Sequence, residues 1–156
     1  MMWEKMIKID EINFSSEPYS QYSLLQEAKS YLGNMKWCKE IENGFVGVYI
    51  EGILAVFKFI IIPFSEDVDK ELWVITGKVP PAYLVTDYAQ DSISALKVYA
   101  EEISLWINAV LYGEVYDRII PVNIQSTKEN AIRLKRQIDS IVNEIIPEIE
   151  STLTLK

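Results

Sequence analysis

The sequence predicts a two-layer α+β domain, in which an antiparallel meander of about four strands is covered on one face by three helices. Two observations favour this fold class. Between Phe45 and Asp87, short runs rich in β-branched and aromatic residues alternate with turn signals, a pattern typical of strands. Outside this region, apolar residues recur every three or four positions, as they do on one side of a helix. The short connections do not allow parallel crossovers, so we expect antiparallel pairing.

Length and composition indicate one domain. The chain has 156 residues, 49% of them hydrophobic, which is enough for a core without metals or disulfides. We predict a single globular domain over residues 1–156, in which residues 1–19 form either a short strand around Ile7, Ile9 and Ile12 or a loosely attached N-terminal arm. The first five residues lack the apolar run of a signal peptide, and Cys38 is the only cysteine. These features favour a cytoplasmic protein.

The first helix is predicted from a capping signal and an apolar stripe. The segment 23–26 reads Ser-Leu-Leu-Gln, the Ser-x-x-Gln form of a capping box. Apolar residues follow at helical spacing, namely Leu25, Ala28, Leu32 and Met35. The pair Gly33-Asn34 either ends this helix or bends it, and Asn43-Gly44 is interpreted as the stop signal for the whole segment.

Four strands are predicted after this segment. Phe45–Ile50 and Ile53–Ile62 are separated only by Glu51-Gly52, which predicts a tight hairpin. The apolar run at Ile53–Phe64 is too short to cross a bilayer as a helix, so no membrane segment is predicted. After an acidic loop at Ser65–Glu71, two further strands are predicted at Leu72–Thr76 and Ala82–Thr86 around a stiff, proline-containing turn.

The last third of the chain is predicted to be helical. Asp91 or Ser92 can cap a helix that stops at Gly113 and places Trp106 in its core stripe. An extended segment is expected at Arg118–Ile124. A second capping box at Ser126–Glu129 then starts a helix that is expected to end at Pro147, with an apolar stripe of Ala131, Leu134, Ile138, Ile141 and Ile145.

Several functional classes are disfavoured by composition. The net charge of −8 repels the phosphate backbone, so nucleic acid is not an expected ligand. The chain has no histidine, which removes Ser-His-Asp and Cys-His catalysis and histidine-based zinc sites. The loop of Asp67 and Asp69 lacks the glycine of a calcium loop, and predicted strands replace the flanking helices, so we interpret it as a solvated connection. We predict no metal and no cofactor.

One motif resembles a known group of proteins. The segment Leu72–Asp87 contains Trp73, Gly77, Pro80 and Tyr83 in the spacing Trp-x-x-x-Gly-x-x-Pro-x-x-Tyr. This pattern resembles the core motif of a family of uncharacterised bacterial proteins, a domain of unknown function, with Lys78 at a position where that family has an acidic residue. The resemblance implies a bacterial or phage source. It implies no activity and no catalytic residues.

The residues around this motif are the predicted binding surface. Tyr83, Asp87 and Tyr88 lie on or just after the last strand, close to the start of the helix capped by Asp91 or Ser92. The structural alternative is that the tyrosines pack on the edge of the core and Asp87 caps a turn. We interpret the protein as a non-enzymatic protein-binding module, of immunity or anti-toxin type, whose partner is another protein, a basic one being electrostatically allowed.

Two questions stay open at this stage. The alternative function is a small-molecule-binding or carboxylate-dependent enzyme domain with a pocket between sheet and helices, because paired carboxylates are the one catalytic device that composition does not exclude. A deep pocket with convergent acids would favour the enzyme, and a flat exposed patch would favour the binding module. Formation of a homo-oligomer is also left open.

Overall fold

The computed structural model describes residues 6–154, with side chains to residue 152. The first five residues, where the sequence predicts no signal peptide, lie outside this range. The chain divides into two compact units. We call Met1–Leu96 the sheet unit and Lys97–Lys156 the helical unit.

The sheet unit contains five strands in the order β1-β2-β3-β4-β5, and every neighbouring pair is antiparallel. The α+β class and the antiparallel meander are therefore confirmed, with one strand more than predicted. The extra strand comes from the N-terminal segment, because Ile7–Lys8 pairs with Val46 and Phe45. The strands are β1 (Ile7–Lys8), β2 (Cys38–Ile50), β3 (Leu54–Pro63), β4 (Glu71–Gly77) and β5 (Ala82–Val85).

Strand β2 is much longer than the sequence predicts, and the stop signal assigned to Asn43-Gly44 is wrong. Both residues lie inside β2, where Gly44 is opposite Phe59 of β3. A Cβ atom on Gly44 would come within 2.7 Å of the Phe59 ring, so glycine is present because the ring passes over the backbone there. The predicted hairpin is confirmed, but its turn has three residues instead of two, because β2 ends at Ile50 and β3 starts at Leu54, which leaves Ile53 in the turn.

Helix α1 (Gln21–Gly33) begins before the predicted capping box. The side chain of Ser20 accepts a hydrogen bond from the backbone N–H of Ser23 at 3.1 Å, so Ser20 is the N-cap. Ser23 already lies in the first turn, and its assignment as the cap is wrong by three residues. The helix ends at Gly33, so of the two alternatives for Gly33-Asn34 the stop is confirmed.

Helix α1 packs on one face of the sheet. Its buried residues are Leu24, Leu25, Ala28 and Leu32, and they share a core with β2, β3 and β4. Strand β3 is buried on both faces: Phe57 and Phe59 face α1 and stack at 5.7 Å between ring centroids, while Val56 on the opposite face is 0% exposed. Burying each of these side chains contributes roughly 1.5–3 kcal/mol.

Helix α2 (Ser92–Tyr112) begins at the end of the sheet unit and continues into the helical unit. The Asp91 side chain accepts a hydrogen bond from the Ser94 N–H at 2.7 Å, so Asp91, rather than Ser92, is the capping residue. The chain leaves the helix at Gly113, as predicted, with φ of +66°. Trp106 is 7% exposed, which confirms that it is buried.

The irregular segment 113–127, which includes the predicted extended segment Arg118–Ile124, leads to helix α3 (Lys128–Ser140). The Thr127 side chain accepts from the Asn130 N–H at 3.1 Å, so the cap is Thr127 and the predicted box starting at Ser126 is wrong by one residue. Helix α4 (Ile146–Thr154) follows without a break.

A π-helical turn at Ile141–Ile145 joins α3 to α4. The N–H of Ile146 donates to the Ile141 carbonyl, five residues back instead of four. The extra residue shifts the buried stripe by one position, so Ile146 is buried and the predicted Ile145 is only half-buried. The predicted end at Pro147 is wrong because the helix continues through Pro147 directly after this wider turn.

Candidate functional site

The ends of four strands lie at one end of the sheet, which we call the sheet end. Strand β2 begins at Cys38, opposite Pro63, the last residue of β3. Strand β4 begins at Glu71, and Leu72 is opposite Val85, the last residue of β5. The antiparallel register therefore places three loop segments at this end, namely residues 36–37, 64–70 and 86–88.

Three aromatic rings from three elements form a cluster beside the sheet end. The Tyr83 ring lies 5.1 Å from the Trp37 ring, at an interplanar angle of 60°, and 6.5 Å from the Tyr31 ring. Tyr83 is 36% exposed, whereas Tyr31 and Trp37 are half-buried. We call these three residues the aromatic cluster.

Each ring is positioned by a local feature of the sequence. Tyr31 follows Ala28 by three residues on α1, next to the buried stripe. Trp37 lies in the turn between α1 and β2, and its carbonyl accepts a hydrogen bond from the Phe64 N–H at 3.1 Å. Tyr83 lies on edge strand β5 opposite Val74, a residue of the core under α1. The hydrogen bond between Phe64 and Trp37 also links the loop after β3 to the aromatic cluster.

Two residues of the Trp-x-x-x-Gly-x-x-Pro-x-x-Tyr motif, Trp73 and Gly77, have structural roles around the turn before β5. The Trp73 indole N–H donates to the Ala89 carbonyl at 2.9 Å, which links β4 to the chain after β5. Gly77 has φ of +142°, and a Cβ atom there would lie 2.2 Å from the Ile53 carbonyl oxygen. Only glycine fits, because the backbone turns against the β2–β3 hairpin at this point. The motif therefore places Tyr83.

The electrostatics of the aromatic cluster reflect its partial burial. Burial raises the pKa of the Tyr31 hydroxyl to about 12, and the neighbouring Tyr83 hydroxyl contributes to the rise, although a backbone hydrogen bond from Tyr83 acts in the opposite sense. Glu27 lies one helical turn before Tyr31, and burial also raises the pKa of its carboxyl group. A partly buried hydroxyl group and a carboxyl group therefore lie one helical turn apart on α1.

The other two predicted residues, Asp87 and Tyr88, lie in a 3₁₀ turn at Thr86–Tyr88, directly after β5. Both are exposed, Tyr88 by 60%. In the described part of the chain, Tyr88 makes no ring contact with the aromatic cluster. The structure thus places all three predicted residues near one end of the sheet, but only Tyr83 in the cluster.

Two members of the cluster, Tyr31 and Trp37, were not singled out from the sequence. The available signals were slight. Tyr31 lies next to a helical stripe, and Trp37 is a large aromatic residue directly after the helix stop at Gly33-Asn34. Nothing in the linear pattern indicates that these residues meet Tyr83, which is more than 40 residues away in the chain.

Charged side chains surround the sheet end. Segments 36–40, 64–71 and 85–88 contain three basic residues and six acidic ones, Glu40, Glu66, Asp67, Asp69, Glu71 and Asp87. Glu71 is paired with Lys58 at 3.9 Å, and the net charge of the three segments is −3. Within residues 6–154, no group of three or more cysteine, aspartate or glutamate side chains is arranged to hold a metal ion.

No protein-family model matches the chain, and no curated protein or solved structure is significantly similar to it. The resemblance of the Trp73–Tyr83 motif to an uncharacterised bacterial family therefore stays a prediction. Within the described residues, no helix combines the length and the apolar character needed to cross a membrane.

Proposed function

We propose that the protein is a non-enzymatic module of bacterial or phage type that binds another protein through the sheet end, and that its role is of the immunity or anti-toxin type. One observation carries the proposal: four exposed or half-buried aromatic side chains, at positions 37, 64, 83 and 88, occur on or beside one end of the sheet. Tyrosine, tryptophan and phenylalanine are enriched in protein interfaces and are the commonest hot spots.

The exposure of these side chains supports a binding role more than a structural one. Phe64 is 67% exposed and Tyr88 is 60% exposed, so neither contributes much to the core. Single exposed aromatic residues are common on protein surfaces and need no explanation. Here several exposed aromatic residues lie around the sheet end, next to the half-buried aromatic cluster. Together with the charged residues around them, they give an apolar centre with a polar rim, which is the arrangement found in interfaces.

The charge distribution favours a basic partner. The sheet unit has 14 acidic and 8 basic residues, a net charge of −6, which is most of the net charge of −8 of the whole chain. An acidic surface attracts a basic protein over several ångströms and raises the rate of association, and this effect weakens as salt is added. An acidic antagonist of a basic toxin would have these properties.

The proposal can be tested by partner capture with matched variants. The tagged protein is incubated with a lysate of its source cells, and captured proteins are identified and purified. The partner should then bind the purified protein directly, and the double substitution Phe64→Ala and Tyr88→Ala should weaken binding at least about tenfold, equivalent to about 1.4 kcal/mol. Binding should also weaken between low and high salt.

Tyr112→Ala provides the control. Tyr112 is 66% exposed, close to the exposure of Tyr88, but belongs to the helical unit. Its substitution should leave partner affinity unchanged. If the double variant bound the partner as tightly as the parent, or if Tyr112→Ala caused the same loss, the sheet end would not be the binding surface.

A further inference from the structure

We infer that the aromatic cluster receives an arginine side chain of the protein partner, whose guanidinium group stacks on the ring of Tyr83, the exposed member of the cluster, beside Trp37. The inference rests on the proposed function and specifies which type of partner side chain the aromatic cluster would bind. It identifies the partner as a protein that presents an arginine flanked by further basic residues.

The chain already uses cation–ring contacts at two other places. Lys58 Nζ lies 5.6 Å from the centre of the Trp73 ring, and Lys78 Nζ lies 5.1 Å from the centre of the Tyr19 ring. Both distances are within the range in which a cation is attracted to a ring face. Neither of these two pairs involves the aromatic cluster.

The cluster has the electrostatic surroundings that a cation prefers. Glu27 lies one turn from Tyr31, and the loop that carries Glu66 and Asp67 is tied to Trp37 through the Phe64 N–H. The helix and the loop next to the rings therefore both carry carboxylates, and the three segments at the sheet end have a net charge of −3 although they include Lys36, Lys39 and Lys70. A cation on the rings is attracted by the ring faces and by these carboxylates at the same time.

The ring geometry favours arginine over lysine or a small quaternary ammonium ion. Trp37 and Tyr83 meet edge to face at 5.1 Å, so there is no space for a compact cation between them. A ligand has to lie flat on one ring, and Tyr83 is the exposed one. The planar guanidinium group can do so while its N–H groups point outward in the same plane toward carboxylates, which an ammonium group cannot do.

The experiment uses the full chain, uniformly labelled with ¹⁵N, and a defined probe. The probe is the peptide acetyl-Gly-Ser-Arg-Gly-Arg-Ser-Gly-amide, and the indole N–H signals of the tryptophans are followed by NMR. We expect a saturable shift of the Trp37 signal with a dissociation constant of about 0.1–5 mM. The signals of the buried Trp73 and Trp106 should not move and serve as internal references.

Matched peptides and variants separate stacking from general attraction. A peptide with citrulline in place of arginine has the same shape without the charge and should cause no shift. A lysine peptide should bind more weakly than the arginine peptide. Tyr83→Ala should weaken the arginine peptide at least about tenfold, whereas Tyr83→Phe, which keeps the ring, and Tyr112→Ala should not; unchanged Trp73 and Trp106 signals verify that each variant is folded.

The outcomes distinguish the inference from the proposed function. If the Trp37 signal stays in place up to about 10 mM arginine peptide, or if citrulline shifts it equally, the inference is wrong. Partner capture that still depends on Phe64 and Tyr88 would then leave the proposed function intact. If capture does not depend on the sheet end at all, the proposed function fails and the inference fails with it.

Discussion

The folds of the two units depend on different kinds of constraint. In the sheet unit, the backbone is the critical element: β2 and β3 show three irregularities of register, and Gly77 passes within contact distance of the hairpin. In the helical unit, stripes of large apolar side chains dominate, with Ile103, Trp106 and Ile107 all at most 7% exposed. The sheet unit, whose core also holds Phe57, Phe59 and Trp73, should therefore be sensitive to an added atom as well as to a removed side chain, whereas the helical unit should be sensitive mainly to a removed side chain.

The largest effect is expected from adding one carbon atom to the sheet unit. Gly77→Ala would place a Cβ 2.2 Å from the Ile53 carbonyl oxygen at φ of +142°, so the hairpin must move. We expect a loss of about 4 kcal/mol or more in the free energy of unfolding, measured by urea denaturation. Gly113→Ala in the helical unit is the matched change, because its Cβ would meet nothing within 4 Å, and it should cost only about 1 kcal/mol. Equal effects would remove the contrast between the units.

The helical unit should respond to truncation. Trp106→Ala removes a large side chain that is 7% exposed and should cost about 3–5 kcal/mol, visible as a lower melting temperature. Val110→Ala, four residues further along the same helix but only half-buried, should cost clearly less. A Trp106→Ala variant that melts like the parent would show that this stripe does not stabilise the unit.

The aromatic cluster predicts a specific loss of stability at high pH. Below pH 10, Tyr31 is protonated in both the folded and the unfolded protein. Between pH 10 and pH 12 it ionises only when unfolded, because its pKa in the folded protein is about 12 instead of 10.0, so the free energy of unfolding falls as pH rises. After allowance for partial exposure, we expect about 1–2 kcal/mol. Urea denaturation at pH 9 and pH 11 should show a smaller drop in Tyr31→Phe; an identical drop in both proteins would contradict the assignment.

The smallest predicted effect concerns a helix start. Thr127→Ala removes the side-chain oxygen that accepts from the Asn130 N–H and should cost about 1 kcal/mol. Ser126→Ala, at the position where the sequence placed the cap, should change the free energy of unfolding by less than about 0.5 kcal/mol. The opposite ranking, measured by thermal denaturation, would restore the sequence-based cap.

The sequence predicted features that depend on local periodicity. The hairpin at Glu51-Gly52, strands β4 and β5, and the cap at Asp91 are all encoded within a few residues. The first half of β2 was missed because Lys39, Glu40 and Glu42 are exposed and break the apolar alternation. The π-helical turn before Ile146 was missed because its cause, an altered hydrogen-bond spacing, leaves little trace in the sequence.

Only the part of the candidate site that lies in one continuous segment of the chain could be predicted from the sequence. Tyr83, Asp87 and Tyr88 could be found because they follow a recognisable turn. Tyr31 and Trp37 join Tyr83 only after α1 has packed on the sheet, and a single sequence contains no information about that pairing. The function itself was not determined by the fold, because the same architecture can present many different surfaces.

The strand order also bears on how the sheet is made. Every strand pairs with the strand next to it in sequence, so only β1, which α1 separates from β2, has to wait for a distant part of the chain. During synthesis each new strand emerges beside an edge that already exists, and loop-closure entropy is small at every step except the joining of β1 to β2 across α1. Rapid, stepwise growth of the sheet from the ribosome is the expected consequence, with β5 and the rings around Tyr83 completed last.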